Sequence, residues 1–121
     1  MPPKILTFVH AHIRDSQGGT EHAAFALHNE INRKHPDHSF IATPKSGSNS
    51  SQPNEYRIET TANPFTLQAE HPDQRNAQLI TLINDIQPNI IHFHHFIHFG
   101  LDAIEFIKGK YPEIKIVLTL I

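Results

Sequence analysis

The sequence predicts a three-layer α/β domain built on a parallel, doubly wound sheet. Three observations predict it. Short apolar runs alternate with amphipathic stretches along most of the chain. A glycine pair, Gly18-Gly19, separates the first apolar run from the first helical stretch. Pro88 ends a later helical stretch, and Asn89-Ile90-Ile91-His92-Phe93 follows as a nearly continuous apolar run. Runs of that kind suit strands covered on both faces, which antiparallel hairpins seldom need. Alternating strands and helices imply right-handed βαβ crossovers.

The elements follow in order. Ile5-Leu6-Thr7-Phe8-Val9 predicts a buried first strand over 4–9. A polar loop runs from His10 to Gly18. Helix one is expected over 20–34, with Thr20, Ala24, Leu27 and Ile31 on its buried face. Pro36 stops it, and strand two is expected over 39–43. Residues 44–54 are rich in Ser, Asn, Pro and Gly and are expected to form a flexible loop. A short strand over 56–59 follows. Pro72-Asp73 marks a helix start, and Ala77, Leu79, Ile80, Leu82, Ile83 and Ile86 give its apolar stripe. Pro88 ends that helix before the strand at 89–93. Leu101, Ile104 and Ile107 mark a third helix, closed by Gly109 and Pro112. A last strand is expected over 114–121.

Composition narrows the function. At 121 residues the chain is one domain or part of one. Ten basic residues against 12 acidic ones give a formal charge of −2, with no basic stripe for nucleic acid. There is no cysteine, hence no disulfide framework and no thiolate metal site. Neither a signal peptide nor a run of transmembrane length stands in the sequence. The expected location is the cytoplasm, including the inner membrane surface for a peripheral protein. Histidine is abundant, at 11 residues, and His92, His94, His95 and His98 cluster.

In doubly wound sheets, ligands bind beyond the carboxyl ends of the strands, where the strand order reverses. Gly18-Gly19 follows strand one, and the histidine cluster closes the strand at 89–93, so both are expected on one rim. A glycine pair lets backbone approach a ligand, and the free N–H groups of a helix start favour an anion. The alternative is a tight turn without a ligand. Glu21 complements the helix dipole in either case. His92 and His94, two apart on a strand, share one face. A pair at that spacing can also bind zinc, with His10 and His12 as further ligands across the rim. His22, His28, His35, His38 and His71 read as solvated. Asn49-Ser50-Ser51 matches a glycosylation sequon without a secretory context.

From Lys4 to Leu120, the order strand, Gly-Gly-x-Glu, helix, Pro-Asn-Ile-Ile-His-Phe-His, helix, Lys-Ile-Val-Leu-Thr-Leu resembles a known family. It is similar to the N-terminal Rossmann-like domain of family 4 glycosyltransferases, which have the two-domain GT-B fold. Asn89 stands where the family usually has Asp. The family continues past Thr-Leu and carries a second Rossmann domain for the sugar nucleotide, so the chain is expected to be a truncated N-terminal, acceptor-side domain, inactive alone. The resemblance implies a retaining transferase that uses a nucleotide-activated sugar and a carbohydrate or lipid-linked acceptor, with no metal or other cofactor. It places His94 as the catalytic histidine. Gly18, Gly19, Thr20, Glu21, His92 and His95 become substrate-binding residues. The transition state has oxocarbenium character and a diphosphate leaving group, so positioning and anion stabilisation are the protein's tasks.

Two other classes remain open: a His-rich metal-binding or metal-dependent hydrolase domain, and a non-catalytic piece that only folds or associates. The apolar last strand, Ile116 to Ile121, is expected to leave an edge or face exposed and to drive self-association through it.

Overall fold

A computed structural model describes residues 3–9, 19–44, 54–59, 71–94, 99 and 101–119, and for residues 19–21 and 101 the backbone only. Eight elements follow in chain order: β1 (Ile5–Val9), α1 (Gly19–Lys34), β2 (Ser39–Pro44), β3 (Glu55–Ile58), α2 (Pro72–Ile86), β4 (Ile90–His94), α3 (Leu101–Lys110) and β5 (Lys115–Thr119). All five strands pair in parallel, in the order β3-β2-β1-β4-β5. The fold is therefore α/β, with an all-parallel sheet flanked by helices, as the alternating pattern predicts.

The layers follow from handedness. The chain moves from β1 to β2 in one direction and from β4 to β5 in the other. Right-handed crossovers in opposite directions put their helices on opposite faces. The apolar side chains divide accordingly. Val9 and Ile41 of the sheet meet Ala24 and Phe25 of α1. Leu6, Phe8, Phe40, Ile91 and Phe93 face the other way, against Leu79, Ile83 and Ile86 of α2 and Ala103 and Ile107 of α3. Alternate residues of a strand point to opposite faces, so β1 serves both layers.

Two helix faces differ from the periodicity. The buried side of α1 carries Ala24, Phe25 and His28, whereas Leu27 is 46% exposed and Ile31 only half-buried. Polar contacts turn the helix this way. His28 Nδ1 and Ser39 Oγ are hydrogen-bonded at 2.8 Å in the interior. Asn32, one turn on, clasps the start of β2: its Oδ1 accepts from the backbone N–H of His38 (3.1 Å) and Ser39 (2.8 Å), and its Nδ2 donates to the Ser39 carbonyl (2.9 Å). His28 is thus a core histidine, not a solvated one. In α2 the buried side is Arg75, Leu79, Leu82, Ile83 and Ile86, and Ala77 is exposed.

Asn32→Ala would strand two backbone donors at the α1–β2 turn. The expected cost is about 2 kcal/mol, and urea unfolding of the folded variant measures it. Asn32→Asp keeps an acceptor there and should lose less.

Helix boundaries are set by their ends. Pro72 occupies the start of α2, where its missing N–H costs nothing, and Gln87 ends it in the left-handed region (φ 54°) with its N–H on the Ile83 carbonyl. Gly109 does not close α3. It lies inside the helix, which runs to Lys110, and a Cβ there would meet open space. Strand β4 is less evenly covered than its composition implies. Ile91 and Phe93 are buried, but Ile90 and His92 are half-buried on the face where α1 packs over β1 and β2. Edge strand β5 exposes Val117 (36%) and Leu118 (43%), one on each face. Among the described residues, no helix is long and apolar enough to cross a membrane. Most of the loop expected over 44–54, the sequon at Asn49 and residues 120 and 121 lie outside the described residues.

Candidate functional site

The strand order reverses between β1 and β4, because β1 leads outward to β2 and β4 outward to β5. That junction is the topological switch point. Val9 and His94 are paired there, at the carboxyl ends of the two strands. The chain leaving Val9 re-enters the described structure at Gly19, the first residue of α1. The end of β1, the start of α1 and the end of β4 therefore lie at the carboxyl end of the sheet.

His94 is the most unusual side chain on that rim. It is only 6% exposed, yet among the described residues neither ring nitrogen has a hydrogen-bond partner. Buried polar groups are nearly always satisfied, and leaving one unsatisfied costs about 1–3 kcal/mol. Its ring lies 4.0 Å, centroid to centroid, from that of His92, tilted by 39°. His92 is itself anchored: its Nε2 and the Thr119 Oγ1 of β5 are hydrogen-bonded at 2.7 Å.

Burial pushes the His94 pKa down to about 4, and the neighbouring His92 adds to the shift. Burial also lowers His92. Both rings are therefore neutral near pH 7. A neutral imidazole offers one N–H donor and one nitrogen acceptor. Among the described residues His94 has a partner at neither nitrogen, whereas His92 has committed one nitrogen to Thr119. A group that reached the ring, such as a hydroxyl or an anion, would find one donor and one acceptor there.

The remaining predicted residues divide by what the structure describes. Gly19, Thr20 and Glu21 form the first turn of α1, which places their backbone N–H groups at its positive end. The side chains of Thr20 and Glu21 lie outside the described structure, as do Gly18, His95, His98, His10 and His12. Among the described residues, no three His, Cys, Asp or Glu side chains converge to hold a metal ion. Asn89 accepts a 2.9 Å hydrogen bond from the Lys4 backbone N–H at the opposite, amino end of the sheet.

Sequence reasoning missed Thr119. Its role depends on the register that sets it beside His94 on β5, diagonal to His92, and no local pattern encodes that register. It missed Arg75 too, which reads as one polar residue in the first turn of α2. Compared with known proteins, the chain matches no family model, and no curated protein matches it.

Proposed function

We propose that this chain is the acceptor-side N-terminal part of a retaining glycosyltransferase of the GT-B type, using a nucleotide-activated sugar. One observation carries the reading: a buried imidazole with neither nitrogen partnered among the described residues stands at the switch point, at the carboxyl end of the sheet where α1 also begins. On this reading His94 donates a hydrogen bond to a sugar hydroxyl or to the departing phosphate as charge develops. His92 supports it, and His95 lies next along the chain. The Gly18-Gly19 backbone and the first turn of α1, with Thr20 and Glu21, approach the donor phosphates and the acceptor. A second Rossmann domain holds most of the nucleotide sugar, and the acceptor is a carbohydrate or a lipid-linked carbohydrate at the cytoplasmic membrane face. Without that domain the chain transfers no sugar, because one rim cannot enclose and desolvate the donor.

The test is steady-state sugar transfer by the enzyme that carries this chain together with its donor domain. His94→Ala should lower kcat/KM by about 10- to 100-fold, the value of one charge-assisted contact made in the transition state. His35→Ala is the control, since that residue is exposed at the far end of α1. His28 is no control, being buried against Ser39. Equal kinetics for His94→Ala and His35→Ala would remove the catalytic role. Failure to turn over any sugar nucleotide would remove the reading.

A further inference from the structure

The two edges of the sheet are finished differently. Just past β3, a side chain of α2 takes the place of a further strand. Gln78 Oε1 accepts from the Glu59 N–H at 2.8 Å, and its Nε2 donates to the Glu59 carbonyl at 2.9 Å. Strand β3 also carries Glu55 and Arg57, and charges on an edge discourage pairing with another chain. At β5 no such device stands among the described residues. Lys115 donates its N–H to the Asn89 carbonyl at 3.1 Å. In this parallel ladder Lys115, Val117 and Thr119 therefore turn their backbone groups towards β4, and Ile116 and Leu118 turn theirs outward. Strand β5 is last in the sheet, and among the described residues no hydrogen bond reaches that outward side. The exposed large apolar side chains among the described residues are Leu27, Val117 and Leu118, so β5 carries most of them.

We propose that β5 is the interface for a second copy of this chain, which pairs with it antiparallel about a two-fold axis through Val117. In that register Ile116 stands opposite Leu118 of the second copy. Both residues turn their backbone groups outward, so each such pair exchanges two hydrogen bonds. Val117 stands opposite its own counterpart, in the closer spacing of a pair without hydrogen bonds. The side chains agree with this. Ile116 and Leu118 share one face of the strand and cover each other across the axis, and the two valines meet on the other face. Lys115, the charged residue of β5, falls opposite Thr119. A parallel, in-register pairing would instead set Lys115 against Lys115, and like charges directly opposite are destabilising. Pairing β5 with the β3 edge of another copy would meet Gln78 and the charges of β3. A two-fold pairing therefore closes at the dimer and joins the two five-stranded sheets into one. The proposal needs only the sheet edge, so it stands or falls apart from the glycosyltransferase reading.

The experiment is sedimentation of the 121-residue chain over a wide range of concentration. A monomer–dimer equilibrium is expected, with no larger species. Val117→Lys should raise the dissociation constant about tenfold or more, because like charges then meet at the axis and a β-branched pair is lost. Val117→Glu should do the same, and mixing the two variants should restore dimers. The chain has no cysteine, so a single introduced thiol reports the register directly. Oxidised Val117→Cys should become a disulfide-linked dimer. Leu118→Cys sets its two sulfurs two residues out of step, about 7–8 Å apart, and should stay unlinked. Should Val117→Lys not fold, this pair of thiol variants decides. A chain that remains monomeric throughout would overturn the proposal, since the edge is then covered from within. A dimer that folded Val117→Lys leaves intact, or cross-linking as ready at Leu118→Cys as at Val117→Cys, would place the interface elsewhere and overturn it too. Growth beyond the dimer would reject the closed two-fold pairing.

Discussion

Replacing Phe8 with alanine should cost about 3–5 kcal/mol of stability, the usual loss for an aromatic side chain removed from a close-packed interior. Phe8 is fully buried at the middle strand of the sheet. Its ring stacks on Phe93 with an interplanar angle of 14° and meets Phe99 at 75°. These are the offset-stacked and edge-to-face geometries that aromatic rings prefer. The vacated volume is walled by strands on either side and by α2 and α3, so it cannot collapse without moving the sheet. A domain of this size has about 5–15 kcal/mol in total, and the variant should be partly unfolded at room temperature or close to it. Urea unfolding followed by circular dichroism gives the number. Phe8→Leu keeps most of the volume and should lose about 1.5 kcal/mol or less. A loss below about 1 kcal/mol for Phe8→Ala would mean that the aromatic stack is not the centre of the core.

The strands and helices were legible because each is punctuated. Pro36, Pro72, Pro88 and Pro112 stand at or beside element ends, and apolar runs of strand length stand between them. Helix rotation was less legible. Around α1 the sequence offers apolar residues on more than one side, and the choice of Ala24, Phe25 and His28 over Leu27 is made by tertiary partners, Ser39 and the turn at His38, that periodicity does not contain. A histidine that pairs with a serine in the interior reads, one residue at a time, like any polar helix residue. Gly109 misled for a related reason: glycine at a helix end is a signal, but an exposed last turn tolerates it in place.

The candidate site was legible in outline. A parallel sheet sends the end of β1 and the end of β4 to one rim, so the alternating pattern already sets His94 there. What needed the structure was its environment. That His92 is held by Thr119 and that Arg75 donates to the Phe99 carbonyl depend on contacts 27 and 24 residues apart in the chain. No local spacing carries such contacts.

Acid should destabilise this domain well before its carboxylates titrate. Among the described residues, three histidines are held below their ordinary value of 6.5: His94, at about 4, by burial and the His92 ring; His92 by burial; and His28 by burial, partly opposed by the Glu55 charge. Each prefers to be neutral in the folded state. Their stabilisation is therefore complete above about pH 6.5 and falls as the unfolded chain takes up protons that the native rings resist. For His94 the loss continues down to about pH 4 and reaches on the order of 2 kcal/mol after allowance for solvent screening at the rim. His28 and His92 add to it in the same direction. Glu30 does not confuse the window. Its hydrogen bond to Arg33 lowers its pKa from 4.5, so its contribution is lost only at lower pH. Urea midpoints measured at intervals from pH 7.5 to 5 should hold near pH 7 and fall below about pH 6.5. In His94→Ala the slope should be shallower, because one of the protons responsible is gone, while His35→Ala should keep the wild-type slope. A stability that stays flat from pH 7.5 to 5 would show that these rings take up protons as readily in the folded chain as in the unfolded one. The desolvated, neutral His94 on which the site depends would then not exist.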